Sequence, residues 1–207
     1  MGKECRFCNI VNGGHKVYED IDTPIMTGNK YFSVVSIGAF VKGWTLLVTN
    51  EHRYNLSHDY SSIDFYNFMK KHISFVKRKL AWNGQVVVFE HGANKCDSET
   101  ACGTSHAHLH VLPFSDSILD DIMNEKDWIQ CEWKNVENLV GQNEYLLYCE
   151  EPEKEMDAKV YIHIVTVPES QFFRRVIFNK MKLQGSYSYK EDARYEESME
   201  THKILEE

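Results

Sequence analysis

Three histidines at alternate positions, His106, His108 and His110 in "SHAHLHVLP", constrain this chain more than any other feature. Successive residues of a β-strand point to opposite faces. A strand through this run therefore sends the histidines to one face and Ala107, Leu109 and Val111 to the other. The second set suits a buried face, and Pro113 closes the strand. Side chains on one face sit roughly 7 Å apart along the strand, so a metal held by all three histidines needs a bulge. Neutral imidazole is also a good nucleophile near pH 7. Its product with phosphorus is labile, and flanking imidazoles can bind phosphate oxygens or protonate a leaving group. A polar, solvated strand face is the third reading. The motif alone leaves all three open.

Around this run, "YFSVVSIGAF" (31–40) and "WTLLVTN" (44–50) are β-rich and joined at Lys42-Gly43, which predicts an antiparallel hairpin. Ile63, Tyr66, Met69, Ile73, Val76 and Leu80 recur at spacings of three and four and predict an amphipathic helix. Ser61 or Ser62 would cap it, and Asn83-Gly84 would end it. "QVVVFEHG" predicts a buried strand. The polar stretch 92–105 predicts a loop of the kind that carries function on a rigid scaffold. Hairpin, helix, strand, loop, strand gives an α+β chain with an antiparallel sheet. After Pro113 the pattern predicts a short helix near 115–125, strands at "EYLLYCE" and "KVYIHIVTV", and a helix at "ESQFFRRVIFNKMKL". A soft boundary divides 1–114 from an extension, 115–207, packed on it. The charged end from Tyr187 reads as a loosely held helix or tail, a solvated face.

With 207 residues the chain can bury one sizeable core. Its net charge of −8 argues against a surface that wraps long nucleic acid, although one nucleotide could still find a local basic patch. No run of about 18 apolar residues predicts a membrane span, and "MGKECRFCNI" lacks an apolar signal core. Six cysteines in a chain of this length without a signal read as reduced thiols or metal ligands. The expectation is a cytoplasmic protein.

The run His106 to Leu112 followed by Pro113 resembles the signature of the histidine triad (HIT) superfamily of nucleotide hydrolases and transferases. "GWTLLVTNEH" (43–52) resembles its hairpin strand, and "CRFC" resembles the CxxC of its zinc-bearing members. The resemblance covers residues 3–114, and "SQFFRR" resembles the C-terminal extension of some longer members. It implies a HIT-like fold with a long helix packed on the sheet. His108 would be the nucleophile at the α-phosphate of a dinucleoside polyphosphate, phosphoramidate or adenylylated compound. His110 would bind the phosphate, and His106 would orient the site. Gly103, Thr104 and Ser105 would offer N–H groups and hydroxyls to phosphoryl oxygens. Glu90 stands near the place of a substrate-binding Asn. Ser36 and Ile37 stand where an acidic ribose-binding residue is expected, so the nucleoside side of the pocket is altered. A nucleotidyltransferase, or a nucleotide-binding module with little turnover, are the alternatives. The resemblance also implies a homodimer and no organic cofactor.

Cys5 and Cys8 have the spacing that lets two thiolates reach one tetrahedral ion. By the same resemblance His52 and His106 supply the other two ligands of a structural zinc. A pair of reduced cysteines is the alternative. His91 reads as a hydrogen-bonded strand-end residue or a pocket lining. Arg174 and Arg175 read as solvent-facing or as phosphate ligands. Cys96 and Cys102, flanking the polar loop, read as free thiols by default, with pairing or redox sensitivity as the alternative.

Overall fold

A computed structural model describes residues 5–14, 16–18, 20–95, 105–155 and 158–206. It contains one eight-stranded sheet in the order β1-β2-β3-β5-β4-β7-β8-β6, with every pairing antiparallel. The α+β expectation holds. The strands are β1 (Met26–Thr27), β2 (Tyr31–Val35), β3 (Thr45–Thr49), β4 (Val86–Gly92), β5 (His108–Pro113), β6 (Ile129–Glu132), β7 (Tyr145–Glu150) and β8 (Lys159–Ile164). The helices are α1 (Arg6–Val11), α2 (Ile63–Lys79), α3 (Leu119–Glu125), α4 (Val136–Val140), α5 (Phe172–Lys180) and α6 (Tyr195–Glu206).

The period of two along each strand divides the core into layers. Leu109 and Val111 of β5, with Ala107 just before it, join Val86 and Val88 of β4 and Leu147 of β7 against Phe65, Met69 and Ile73 of α2. The opposite residues, Val87, Phe89, Leu112, Leu146 and Tyr148, meet Phe172, Phe173, Val176 and Ile177 of α5. Farther along that second face, Phe7 of α1 covers Phe32, Val34, Leu46 and Val48. β4 and β5 are thus packed on both sides, which explains their nearly unbroken apolar character between the histidines.

Several elements differ from the sequence expectation. The hairpin partners pair from Tyr31↔Thr49 to Val35↔Thr45, but 36–44 forms a long connection rather than a tight turn. Gly43 there has φ +85°, and a Cβ would run into Leu80, so only glycine fits so close to the end of α2. The buried face of α2 is Phe65, Met69, His72, Ile73 and Val76; Ile63 is 52% exposed. The expected stripe departs at its start, where Ile63 is the first helical residue and faces outward. α6 is not a loose tail. Leu205 packs with Ile21, Val35, Ile37 and Val76, and Ser198 Oγ donates to Ser36 O at 3.0 Å. β1, β6, α1 and α4 were not anticipated. Past residue 114 the chain adds β7, β8 and β6 to the same sheet, β7 pairing with β4 from Val87↔Glu150 to Gly92↔Tyr145. Among the described residues no helix is long and apolar enough to cross a membrane.

Candidate active site

β4 and β5 set the floor of a cavity of about 220 Å³. Phe89 lies opposite His110 in the ladder, and continuing that register brings His91 opposite His108. All four side chains line the cavity. Arg6 and Phe7 of α1 form one wall, and Phe172, Phe173 and Arg174 of α5 form another. Ser36 and Ile37 also face it. The histidine face of β5 is therefore neither solvated nor a three-histidine metal site. It is the floor of a concave pocket, as ligand sites tend to be.

Hydrogen bonding assigns a tautomer to each of the two cavity histidines. His108 Nδ1 lies 2.7 Å from His106 O. A carbonyl only accepts, so Nδ1 carries the proton and Nε2 keeps its lone pair. His110 Nδ1 lies 3.0 Å from Trp44 Nε1. Indole N–H only donates, so His110 Nδ1 accepts and its Nε2 carries the proton. Phe89 stacks on His110 at 4.5 Å and 13°, which fixes the ring. Burial, reinforced by the charges of Arg6 and His91, pushes the His108 pKa down to about 4. Burial first, then His108 and Arg174, holds His110 well below the usual imidazole range. Both rings are neutral at pH 7, one with a free lone pair and its neighbour with an N–H donor.

His106 is directed elsewhere. Its Nε2 lies 2.8 Å from Thr49 O and so carries the proton. Its Nδ1 lies 3.3 Å from Cys5 Sγ and 3.6 Å from Cys8 Sγ. His52 Nδ1 lies 3.2 Å from Cys8 Sγ. Cys5, Cys8, His52 and His106 form a four-residue cluster able to hold a metal ion, with ligand atoms within 4.8 Å of one another. Sulfur and nitrogen at about 2.3 and 2.0 Å from a tetrahedral ion stand about 3.5 Å apart, which matches these separations. The Thr49 carbonyl fixes the tautomer that frees Nδ1 to ligate, the usual support for a metal-bound histidine. Burial and the neighbouring Cys5 push the Cys8 thiol up to about 11. A dication among the four would reverse that cost. The donors and their geometry fit zinc. With both nitrogens engaged, His106 belongs to this cluster, and the structure separates it from the other two histidines.

Glu90 is also not brought to the cavity. It points to the α2 face of β4, where it is 1% exposed. There it accepts from Leu56 N at 2.9 Å, Tyr60 OH at 2.6 Å and Tyr145 OH at 2.5 Å. The pleat is the cause: Phe89 and His91 take the cavity face, and the residue between them cannot. Gly92 makes the network possible, because any side chain there would meet the Tyr145 ring. Gly103, Thr104, Cys96 and Cys102 lie outside the described residues. Ser105 directly precedes His106. His91 lines the cavity, and its Nε2 lies 2.7 Å from Glu144 Oε1. Arg174 and Arg175 diverge. Arg174 is buried in the cavity wall, donating to Gly38 O and to Tyr187 O. Arg175 faces outward and pairs with Glu125 and Glu169. Sequence reasoning missed Arg6, Phe7, Trp44 and Phe89. Arg6 and Phe7 had one signal, their place between the two cysteines.

No family model matches the chain, and no curated protein matches it. Among solved structures it is similar to a hypothetical histidine triad nucleotide-binding protein from Sulfolobus tokodaii, at 17% identity and TM-score 0.39, over 55% of this chain and 70% of that one. It is similar to a Hit-like protein involved in cell-cycle regulation from Bartonella henselae, at 15% identity and TM-score 0.42, over 56% and 80%. It is also similar to a HIT family hydrolase from Clostridium thermocellum, at 18% identity and TM-score 0.40, over 56% and 95%.

Proposed function

We propose that this protein is a histidine triad enzyme that cleaves a nucleoside phosphate derivative at its α-phosphate through a nucleotidyl-histidine intermediate. The observation that carries this reading is the pair of opposed tautomers. His108 Nε2 offers a lone pair, and His110 Nε2 offers a proton, from alternate positions on the floor of one cavity. Attack by His108 Nε2 forms a P–N bond, and the leaving group departs with the electron pair of the broken P–O or P–N bond. The His110 Nε2–H donates to a phosphoryl oxygen as charge develops there, the kind of fixed donor that lowers such barriers most. Water then attacks phosphorus, its proton passes to solvent as the product phosphate ionises, and the electron pair of the P–N bond returns to His108 Nε2. We assign Gly103, Thr104 and Ser105 to the phosphoryl oxygens. Depressed basicity keeps both rings neutral at pH 7, so no proton has to leave His108 before it acts.

Zinc held by Cys5, Cys8, His52 and His106 would have a full set of four protein ligands and no open position, which is a structural site. It would tie α1 to the end of β3 and the start of β5. Incubation with adenylyl compounds labelled at the α-phosphate, followed by an alkaline quench that preserves phosphohistidine bonds, tests the reading. The expected result is labelled protein that disappears in His108→Asn and persists in His58→Ala, a surface histidine paired with Glu137. Binding of nucleotide without label in any variant would refute it and leave a binding module. Adding phosphate or a sugar phosphate and finding it nucleotidylated would place the chain among the transferases.

A further inference from the structure

The two residues between Cys5 and Cys8 are not spacers. α1 turns both toward the triad. The Phe7 ring lies 5.6 Å from His106 and 5.6 Å from His108, so it separates the cysteine cluster from the nucleophile. Arg6 lines the cavity together with His108 and His110. Its guanidinium is anchored from behind. Asp22, fully buried, accepts from Nε at 2.7 Å and lies 2.5 Å from Nη2. The other Asp22 oxygen accepts from Tyr18 N at 2.9 Å. The guanidinium also lies over the Tyr18 ring at 4.9 Å and the Phe7 ring at 5.3 Å. Asp22 takes the hydrogen bond of Nε alone among the five N–H donors of this planar group, and Nη2, though close to the same carboxylate oxygen, is buried without a hydrogen-bond partner. Among the described residues nothing bonds the Nη1 edge. The described cavity lining holds two arginines and three histidines but no carboxylate, in a chain whose net charge is −8. Such a lining selects an anion, and a fork of guanidinium donors matches phosphate oxygens.

We propose that Arg6 is a phosphate-binding residue of the triad cavity, aimed by Asp22 and held in place by the cysteine cluster on either side of it. This rests on the enzyme reading above and adds to it. The metal site would then be a determinant of substrate affinity as well as of folding. Arg6 pairs with a non-bridging oxygen of the ligand's phosphate, while the aromatic walls take the uncharged part. Asp22 is a positioning residue.

Titration calorimetry with AMP and with adenosine tests it. Arg6→Gln should weaken AMP about 10- to 100-fold, the worth of one charge-assisted contact, and leave adenosine within about 2-fold. Arg6→Lys should recover part of the AMP affinity. Asp22→Asn should weaken AMP less than Arg6→Gln and spare adenosine. Zinc content of Arg6→Gln, read with a chromogenic chelator, should match the parent protein. Stripping the metal from the parent protein should lower AMP affinity toward that of Arg6→Gln and add little to the variant. Equal losses for AMP and adenosine, or unchanged AMP affinity in Arg6→Gln, would overturn the assignment. Unchanged AMP affinity in metal-free protein would overturn the coupling. A parent protein that takes up the α-phosphate label on His108 while Arg6→Gln binds AMP normally would sink this proposal alone. A parent protein that binds neither AMP nor adenosine would remove both readings.

Discussion

Glu90 offers a quantitative test of the fold around the site. Its carboxyl is fully buried on the α2 side of β4. Burial raises its pKa from 4.5 to about 7, against the opposing hydrogen bonds from Tyr145, Tyr60 and Leu56. In the unfolded chain the group returns to its ordinary value. Between those two pH values the folded protein holds a proton that the unfolded chain has released. Stability from this group is fully present below about pH 4.5, falls as pH rises toward 7, and is constant above that. At about 1.36 kcal/mol per pH unit the loss is about 3 kcal/mol, or about 6–12 °C in Tm for a chain of this size. Glu90→Gln removes the titration and keeps an acceptor for the two tyrosines. Buried histidines such as His72, pushed down to about 3 by desolvation, act in the opposite sense. They gain stability as pH rises toward 6.5, equally in both proteins. The informative quantity is therefore the difference between the two, measured by urea unfolding at intervals from pH 4.5 to 8. Parent minus variant should fall by about 3 kcal/mol over that range and level off above 7. Parallel curves would refute the reasoning, because they would mean that Glu90 is ionised alike in both states.

Further consequences are open to direct measurement. Trp44→Phe removes the N–H that fixes the His110 tautomer, and should lower kcat about 2- to 10-fold with KM little changed; an unaltered kcat would show that the tautomer is set otherwise. Cys8→Ser should reduce bound zinc from about one per chain to near none and lower Tm, whereas a purified parent protein free of metal after refolding with zinc would contradict the site. Leu147→Ala empties a fully buried position on the α2 side of the sheet and should cost about 2–5 kcal/mol in urea unfolding. Leu205→Ala should cost a similar amount in the same assay, and no measurable loss would refute the docking of α6.

What the sequence carries well is whatever its local period determines. The alternation holds for His108 and His110, which share one face of β5, while His106 lies just before the strand and joins the cysteines; β4 and β5 lie where their apolar runs put them. The CxxC and two distant histidines do converge. What it carries poorly depends on partners far along the chain. α6 has few apolar residues and reads as a solvated surface, yet Ser198, Thr201, His202 and Leu205 are buried against β2 and its following loop. Glu90 was one residue out of phase with the cavity, a shift that moves a strand residue through the sheet. Trp44 matters through one bond to a residue 66 positions away. Arg174 and Arg175 are indistinguishable as neighbours in sequence. A helix turn of about 100° sends one into the cavity and the other to Glu125 and Glu169.

The pairing of β7 on β4 has a consequence for how the chain can be handled. β4 is apolar on both faces, Val86 to Phe89 being buried throughout. If the chain were cut after Phe114, that strand would become a bare sheet margin with open N–H and C=O groups, a template on which copies stack. The margin the full chain presents instead is β6, four residues long, carrying Gln130 and Glu132 and mostly solvent-exposed. Residues beyond 114 thus cover the open side of β4. An expression trial of the first 114 residues alone should yield aggregate rather than a minimal catalyst.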